Sequence, residues 1–163
     1  MRLSEAKRLR FARALPTPDA GHRMTPNAAL AIAADEARRS TCRSQRGAVA
    51  WDHDGLISVG WNLLTIGACD QSDRCKAQCS RTAIHAEQLC ILAANRSLAG
   101  ASMLHVKIVA DAPVPSRGPT CWQCSKLILA AGLSWMYLLQ ETGLRAYTAE
   151  TFHQLTLDAN ALG

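Results

Sequence analysis

The segment Ala83-Ile84-His85-Ala86-Glu87-Gln88-Leu89-Cys90-Ile91 sets an imidazole and a carboxylate two residues apart, and Pro119-Thr120-Cys121-Trp122-Gln123-Cys124 sets two thiols three residues apart. His85 and Cys121 are separated by 36 positions. One imidazole and two thiolates are good zinc ligands. Three protein ligands leave the fourth tetrahedral position open for a water, the layout of a catalytic rather than a closed structural site. Glu87 is expected beside the metal without ligating it, where a carboxylate can take a proton from water and hand it to a leaving group. Two plainer readings compete. A lone C-x-x-C can be a redox pair, although a thioredoxin-type motif needs no H-x-E partner. A purely structural zinc would take Glu87 as its fourth ligand.

Working outward, Thr25-Pro26 reads as an N-cap and first helical position, opening a helix that carries Ala28 to Arg38. Residues 47–51 and 56–61 read as two strands joined by the turn Asp52-His53-Asp54-Gly55. Residues 63–80 read as an irregular insert holding three cysteines. The first metal-binding helix is expected over 82–95, a third strand over 103–109, and a proline-rich loop over 111–120 that delivers Cys121. Trp122 to Ala131 should form the second metal-binding helix, followed by strands at 134–139 and 145–147 and a last helix capped by Thr148 and reaching about residue 160. The alternation implies a layered α/β domain. Both metal motifs begin helices, whose positive ends favour thiolate over thiol at Cys121 and Cys124.

The bulk of the chain fits this reading. A chain of 163 residues, 48% hydrophobic and 19% charged, is one ordinary soluble domain by length and composition. No run approaches the ~18 apolar residues of a membrane span. The basic, mixed N-terminus lacks the apolar core of a secretory signal, so a cytoplasmic location is expected. Seven cysteines are then metal ligands or reduced thiols rather than disulfides. The net charge of +5 sits largely in residues 1–24, a basic arm with a partly helical pattern ended by Pro16 and Pro18. Residues 25–163 are nearly neutral, without the overall basicity of a dedicated nucleic-acid binder. A small anionic substrate needs only a local positive pocket.

The pattern H-A-E at 85–87 with C-x-x-C at 121–124 resembles the zinc-dependent cytidine/deoxycytidylate deaminase superfamily, and within it the dCMP deaminases. Gly47-Ala48-Val49, Gly60-Trp61-Asn62 and Cys124-Ser125-Lys126-Leu127-Ile128 support the likeness in the same order, over roughly residues 26 to 140. The resemblance implies a three-layer cytidine-deaminase-like α/β fold with a mixed central sheet of about five strands flanked by helices. It implies a catalytic zinc on His85, Cys121 and Cys124, with Glu87 as the catalytic proton carrier for hydrolytic deamination of a cytosine nucleotide, dCMP to dUMP. It also implies substrate contacts from the Ala86 N–H, the Pro119 carbonyl and Asn62, and a homo-oligomer. Three positions depart from the pattern: Thr120 stands for a proline, Leu89 for an asparagine, and Leu63-Leu64 for a glycine-containing turn. The alternatives are a deaminase of another nucleoside, a modified base or a nucleic acid such as a tRNA adenosine editor, and a catalytically silent zinc-stabilised binding module.

Cys69, Cys75 and Cys79 form C-x5-C-x3-C in the insert, the last pair at the spacing that shares one helix face. An 18-residue insert needs a reason to be ordered, and a closed zinc site supplies one. Cys42 is the natural fourth ligand, His53 the reserve. Some dCMP deaminases carry such a second zinc, so two zinc ions are expected, one catalytic and one structural.

Overall fold

Thr25 and Pro26 start the first helix as their chemistry dictates. The Thr25 hydroxyl accepts from the Ala28 N–H at 3.2 Å, and Pro26 opens α1 (Pro26–Ala37). The computed structural model describes residues 23–65 and 68–160, except for the side chains of Lys76, Gln78, Cys79 and Ser80; the helical pattern expected in the N-terminal arm falls outside this span. After α1 come β1 (Arg46–Asp52), β2 (Gly55–Trp61), α2 (Asp73–Thr82), α3 (Ala86–Leu92), β3 (Ser102–Val109), β4 (Ala112–Val114), α4 (Trp122–Ala130), β5 (Trp135–Gln140), β6 (Gly143–Thr148) and α5 (Ala149–Asn160). The expected fold class is the one observed. A mixed sheet runs in the order β2-β1-β3-β5-β6, with β3 and β5 parallel and the other neighbours antiparallel.

Three elements differ from the sequence expectation. The insert is not wholly irregular: α2 occupies its second half, begun by Ser72, whose hydroxyl accepts from the Cys75 N–H at 3.0 Å. The first metal-motif helix is half the expected length. His85 is its N-cap, with the backbone N–H given to Gln88 Oε1 at 2.9 Å, and the chain leaves the helix at Ala93. The proline-rich loop contains a strand, because Ala110 and Asp111 adopt positive φ and turn the chain back so that β4 pairs with the end of β3.

The sheet is buried on both faces, and strand alternation sorts its side chains. Val49, Trp51, Leu104, Val106 and Ile108 face α1. Ala48, Ala50 and Met103 face the other way, into a core with Cys90 of α3, Ile128 of α4 and Phe152 of α5. The same period of two puts Arg46, His105 and Lys107 on that second face. Two glycines let the helices reach the sheet. A Cβ on Gly47 would lie 1.9 Å from the Ala33 carbonyl oxygen of α1, and one on Gly60 would lie 2.2 Å from the Ala86 oxygen and 2.4 Å from the Cys90 nitrogen of α3. Among the described residues no helix is long and apolar enough to cross a membrane.

The Gly60 contact is with helix backbone, which cannot move aside alone. Gly60→Ala is expected to destabilise the metal-free protein by about 2 kcal/mol or more and to lower its zinc content. Gly118→Ala, where an added Cβ meets nothing within 4 Å, is expected to cost under ~0.5 kcal/mol. Urea denaturation of both variants checks this; equal stability would mean that α3 is not fixed by this approach.

Candidate active site

The site is assembled where β1 begins, β2 ends and two helices start. Beyond β2, Leu63 and Ile84 exchange backbone hydrogen bonds of 2.9 Å each way, which holds Asn62 beside the start of α3. Asn62 is buried and anchored at both ends of its side-chain amide: its Oδ1 accepts from the Ala86 N–H at 3.0 Å and its Nδ2 donates to the Ser44 carbonyl at 2.9 Å. His85 then projects toward the start of α4, where Cys121 is the N-cap and its sulfur accepts from the Cys124 N–H at 3.3 Å.

The three metal-ligand candidates converge as their spacing implies. His85 Nδ1 lies 3.3 Å from Cys121 Sγ and 3.2 Å from Cys124 Sγ, and the two sulfurs are 2.8 Å apart. One nitrogen and two sulfurs on one side of a half-buried niche are a donor set suited to zinc. A tetrahedral ion needs its sulfur ligands about 3.8 Å apart, so the side chains would open by roughly 1 Å around it. The other metal-type group among the described residues is Asp52, His53 and Asp54 in the β1–β2 turn. It is an exposed turn whose Asp52 is committed to an ion pair with Arg96.

The thiols share protons unequally. The hydrogen bond from Cys124, assisted by His85, lowers Cys121 to about 5, whereas the same hydrogen bond and burial push Cys124 far up. His85 is raised, first by its hydrogen bond with Cys121. Glu87 is 1% exposed. Burial pushes its carboxyl up, but His105, the Thr120 hydroxyl and its own backbone N–H together outweigh burial and hold it below the usual range. Thr120 Oγ1 donates to Glu87 Oε1, and His105 Nε2 lies 3.7 Å from that oxygen.

A cavity of about 710 Å³ opens in front of these groups. Asn62, His85, Glu87, Pro119 and Cys121, singled out in the sequence, line it, whereas Ala86 and Cys124 are buried behind the wall. So do Arg43, Arg46, His105 and Lys107, which the motif reading missed. Arg46 and Lys107 are cross-strand partners, and His105 is two residues from Lys107 on the same face. Burial lowers His105, whose Nε2 is 3.4 Å from Arg46 Nη1 and whose Nδ1 is buried without a hydrogen-bond partner.

The second cysteine group is partly assembled. Cys69 and Cys75 have their sulfurs 3.4 Å apart. Cys79 follows Cys75 on α2 at the helical spacing, with its side chain outside the described set. Cys42 is buried with its sulfur 3.8 Å from the Asn62 carbonyl, and neighbouring Arg43 reaches the Gln71 carbonyl and Asp73 of the insert. His53 is not a reserve ligand. It follows β1 whereas Cys42 precedes it, and a seven-residue strand separates the two by about 20 Å.

No protein-family model matches the chain, and no curated relative matches its sequence. Solved structures do match in fold. The cytidine deaminase from Burkholderia pseudomallei superposes with a TM-score of 0.56 at 17% identity, over 79% of this chain and 96% of that one. The dCMP deaminase from the cyanophage S-TIM5, in its apo form, superposes with a TM-score of 0.52 at 20% identity, over 69% of this chain and 82% of that one. The same phage enzyme in complex with dCMP and dUMP gives 0.50 at 21% identity, over 69% and 81%. The chain thus has the cytidine-deaminase-like α/β fold. In that fold it carries a His85, Cys121 and Cys124 cluster able to hold a metal ion.

A thiol lowered to about 5 is ionised above that pH, and a buried thiol pushed up to about 12 is not. In metal-free protein at about pH 6.5, iodoacetamide is therefore expected to label Cys121 well ahead of Cys90, with labelling of Cys121 fading as the pH falls through about 5. Peptide mapping by mass spectrometry reads this; equal labelling of the two would contradict the thiolate assignment.

Proposed function

We propose that this protein is a zinc-dependent hydrolytic deaminase of a cytosine nucleotide, converting dCMP to dUMP and ammonia. The observation that carries the reading is the placement of a His/Cys/Cys donor triangle beside a buried carboxylate at the wall of a cavity that also bears three cationic side chains. A redox pair needs no such carboxylate, and a structural zinc would not require one whose oxygen is taken by the Thr120 hydroxyl.

When bound to His85, Cys121 and Cys124, zinc supplies a water acidified toward neutral pH. Glu87 would take one proton from the attacking water and deliver it to N3, then take the second from the new C4 hydroxyl and give it to the exocyclic amine, so that the C4–N bond breaks, the C4 carbonyl forms and ammonia leaves. The Pro119 carbonyl is assigned to the ring, and the Ala86 N–H joins it only by releasing Asn62 Oδ1, to which it donates at 3.0 Å. Asn62, tied to the Ala86 N–H, is assigned to the sugar. Arg46 and Lys107, joined by Arg43 although it also pairs with Asp73, favour a phosphorylated substrate over a free nucleoside, because their charges line the cavity. The phage enzyme of the same fold holds dCMP and dUMP, which supports that choice.

Incubation of the zinc-loaded protein with dCMP, CMP, deoxycytidine and dCTP, following ammonia, tests the reaction and the substrate together. We expect dCMP to be turned over fastest, and Glu87→Ala to lower kcat by about 10³-fold or more while zinc stays bound. Loss of zinc in Glu87→Ala would make Glu87 a ligand, and no turnover on any of the four would refute the cytosine-nucleotide assignment.

The second zinc is part of the proposal, with Cys42, Cys69, Cys75 and Cys79 as its ligands. So is a homo-oligomer, since Leu92 of α3 and Trp122 and Leu127 of α4 present exposed apolar surface on two helices that pack together. Native mass spectrometry reads both: two zinc ions per chain and more than one chain per particle are expected. One zinc per chain with the His85 site intact removes the structural site, and a monomer removes the interface.

A further inference from the structure

Thr120 stands where the deaminase pattern has a proline, and the substitution adds a group that proline cannot offer. Proline has no side-chain donor. Thr120 has a hydroxyl, and in this fold it donates to Glu87 Oε1. His105, the second side chain approaching the carboxylate, is nearest the same oxygen, its Nε2 3.7 Å away and 3.4 Å from Arg46 Nη1. Among the described residues, the hydrogen bond that another side chain makes to this carboxylate therefore ends on Oε1.

A carboxylate that ferries a proton needs one oxygen facing the reacting atoms and a fixed rotation about its last bond. Terminal carboxylate torsions are broad and roughly two-fold, so the two oxygens exchange unless something distinguishes them. We propose that Thr120 is a positioning residue that pins Oε1 of Glu87 and so reserves Oε2 for carrying the proton. The inference rests on the deaminase reading above. It also explains how the departure at 120 is accommodated: the hydroxyl links the carboxylate on α3 to the loop that delivers Cys121, so the proton carrier and a metal ligand are set by one contact.

The test compares zinc-loaded wild type, Thr120→Val and Thr120→Ser, by steady-state kinetics on dCMP and by high-resolution crystal structures. Val keeps the branched shape and removes the hydroxyl; Ser restores the hydroxyl alone. For Thr120→Val, kcat is expected to fall by about 10- to 100-fold with KM within about twofold, because a misaimed proton carrier affects the transition state rather than binding. Zinc content should be unchanged, and the Glu87 carboxylate should be rotated or split between two positions. Thr120→Ser should return kcat to within about threefold of wild type, with a single Glu87 position. The proposal is overturned by a Thr120→Val enzyme with kcat within about twofold of wild type, by a Glu87 carboxylate unmoved in its crystal structure, or by a Ser variant as impaired as Val. If Thr120→Val does not fold or loses zinc, Thr120→Ala is read in its place, and loss of zinc there too overturns the proposal in favour of a purely structural hydroxyl. If wild type deaminates no cytosine compound, the functional reading fails on its own, while the position of Glu87 in the variant structures still decides the role of Thr120.

Discussion

The contact on which the site depends is the approach of α3 to β2 at Gly60. The helix backbone sits where a Cβ would be, with the Ala86 oxygen and the Cys90 nitrogen both inside 2.5 Å of that point. Only a bare backbone permits this. Its consequence is that Ala86 and Glu87, at the very start of the helix, are carried below the surface rather than along it. Glu87 is then buried because of where the helix lies, not because a carboxylate favours burial, and the energetic penalty of burying it must be met by neighbours. Those neighbours are His105 from β3 and Thr120 from the loop before α4. Gly47 performs the corresponding service for α1 on the other face, so the sheet is gripped from both sides at adjacent strands.

Once α3 is placed, the metal ligands follow from chain geometry. His85 is the residue just before the helix, and the Leu63–Ile84 bridge fixes its entry direction. Cys121 and Cys124 lie on one side of the first turn of α4, as three-residue spacing at a helix start requires. The two helix starts point at the same space, and their positive ends favour thiolate there. The rest of the electrostatics is cationic: Arg43, Arg46 and Lys107 sit in the same cavity as the one buried acid. A site that is negative at the sulfurs and positive around the cavity suits a ligand with an amine-bearing ring at one end and an anion at the other.

The His85, Cys121 and Cys124 cluster was legible in the sequence because it is written in short spacings. H-x-E and C-x-x-C each fall within one turn of chain, so their side chains stay neighbours whatever the remainder does. The hairpin, the capped first helix and the order of strands were legible for the same local reasons. His105, Arg46 and Lys107 were not. The segment Met103 to Val109 shows its alternation plainly, and it was visible that His105 and Lys107 share a face. Which face the metal helices would cover is a tertiary fact that a period of two does not contain. The strand β4 was hidden because Pro113 within it and the prolines after it read as loop, and pairing with β3 is decided by the positive-φ turn at Ala110 and Asp111. The first metal-motif helix was read too long at both ends: His85 is its cap, so residues 82–85 precede it, and the chain leaves the helix at Ala93.

The departures from the deaminase pattern are not alike in their physical weight. Leu89, where an asparagine was expected, is buried, so it has exchanged a polar role for packing. Thr120 has done the reverse, adding a donor next to the one buried acid. The turn after Asn62, without its glycine, is closed instead by the bridge between Leu63 and Ile84. Each change keeps the positions of His85, Glu87, Cys121 and Cys124 while altering what surrounds them. The proposed chemistry depends on four atoms in fixed relation, whereas the proposed recognition of a substrate's anionic end would be spread over Arg43, Arg46, Lys107 and the β3–α4 connection. Strand parity and loop length, rather than motif spacing, control those parts of the chain.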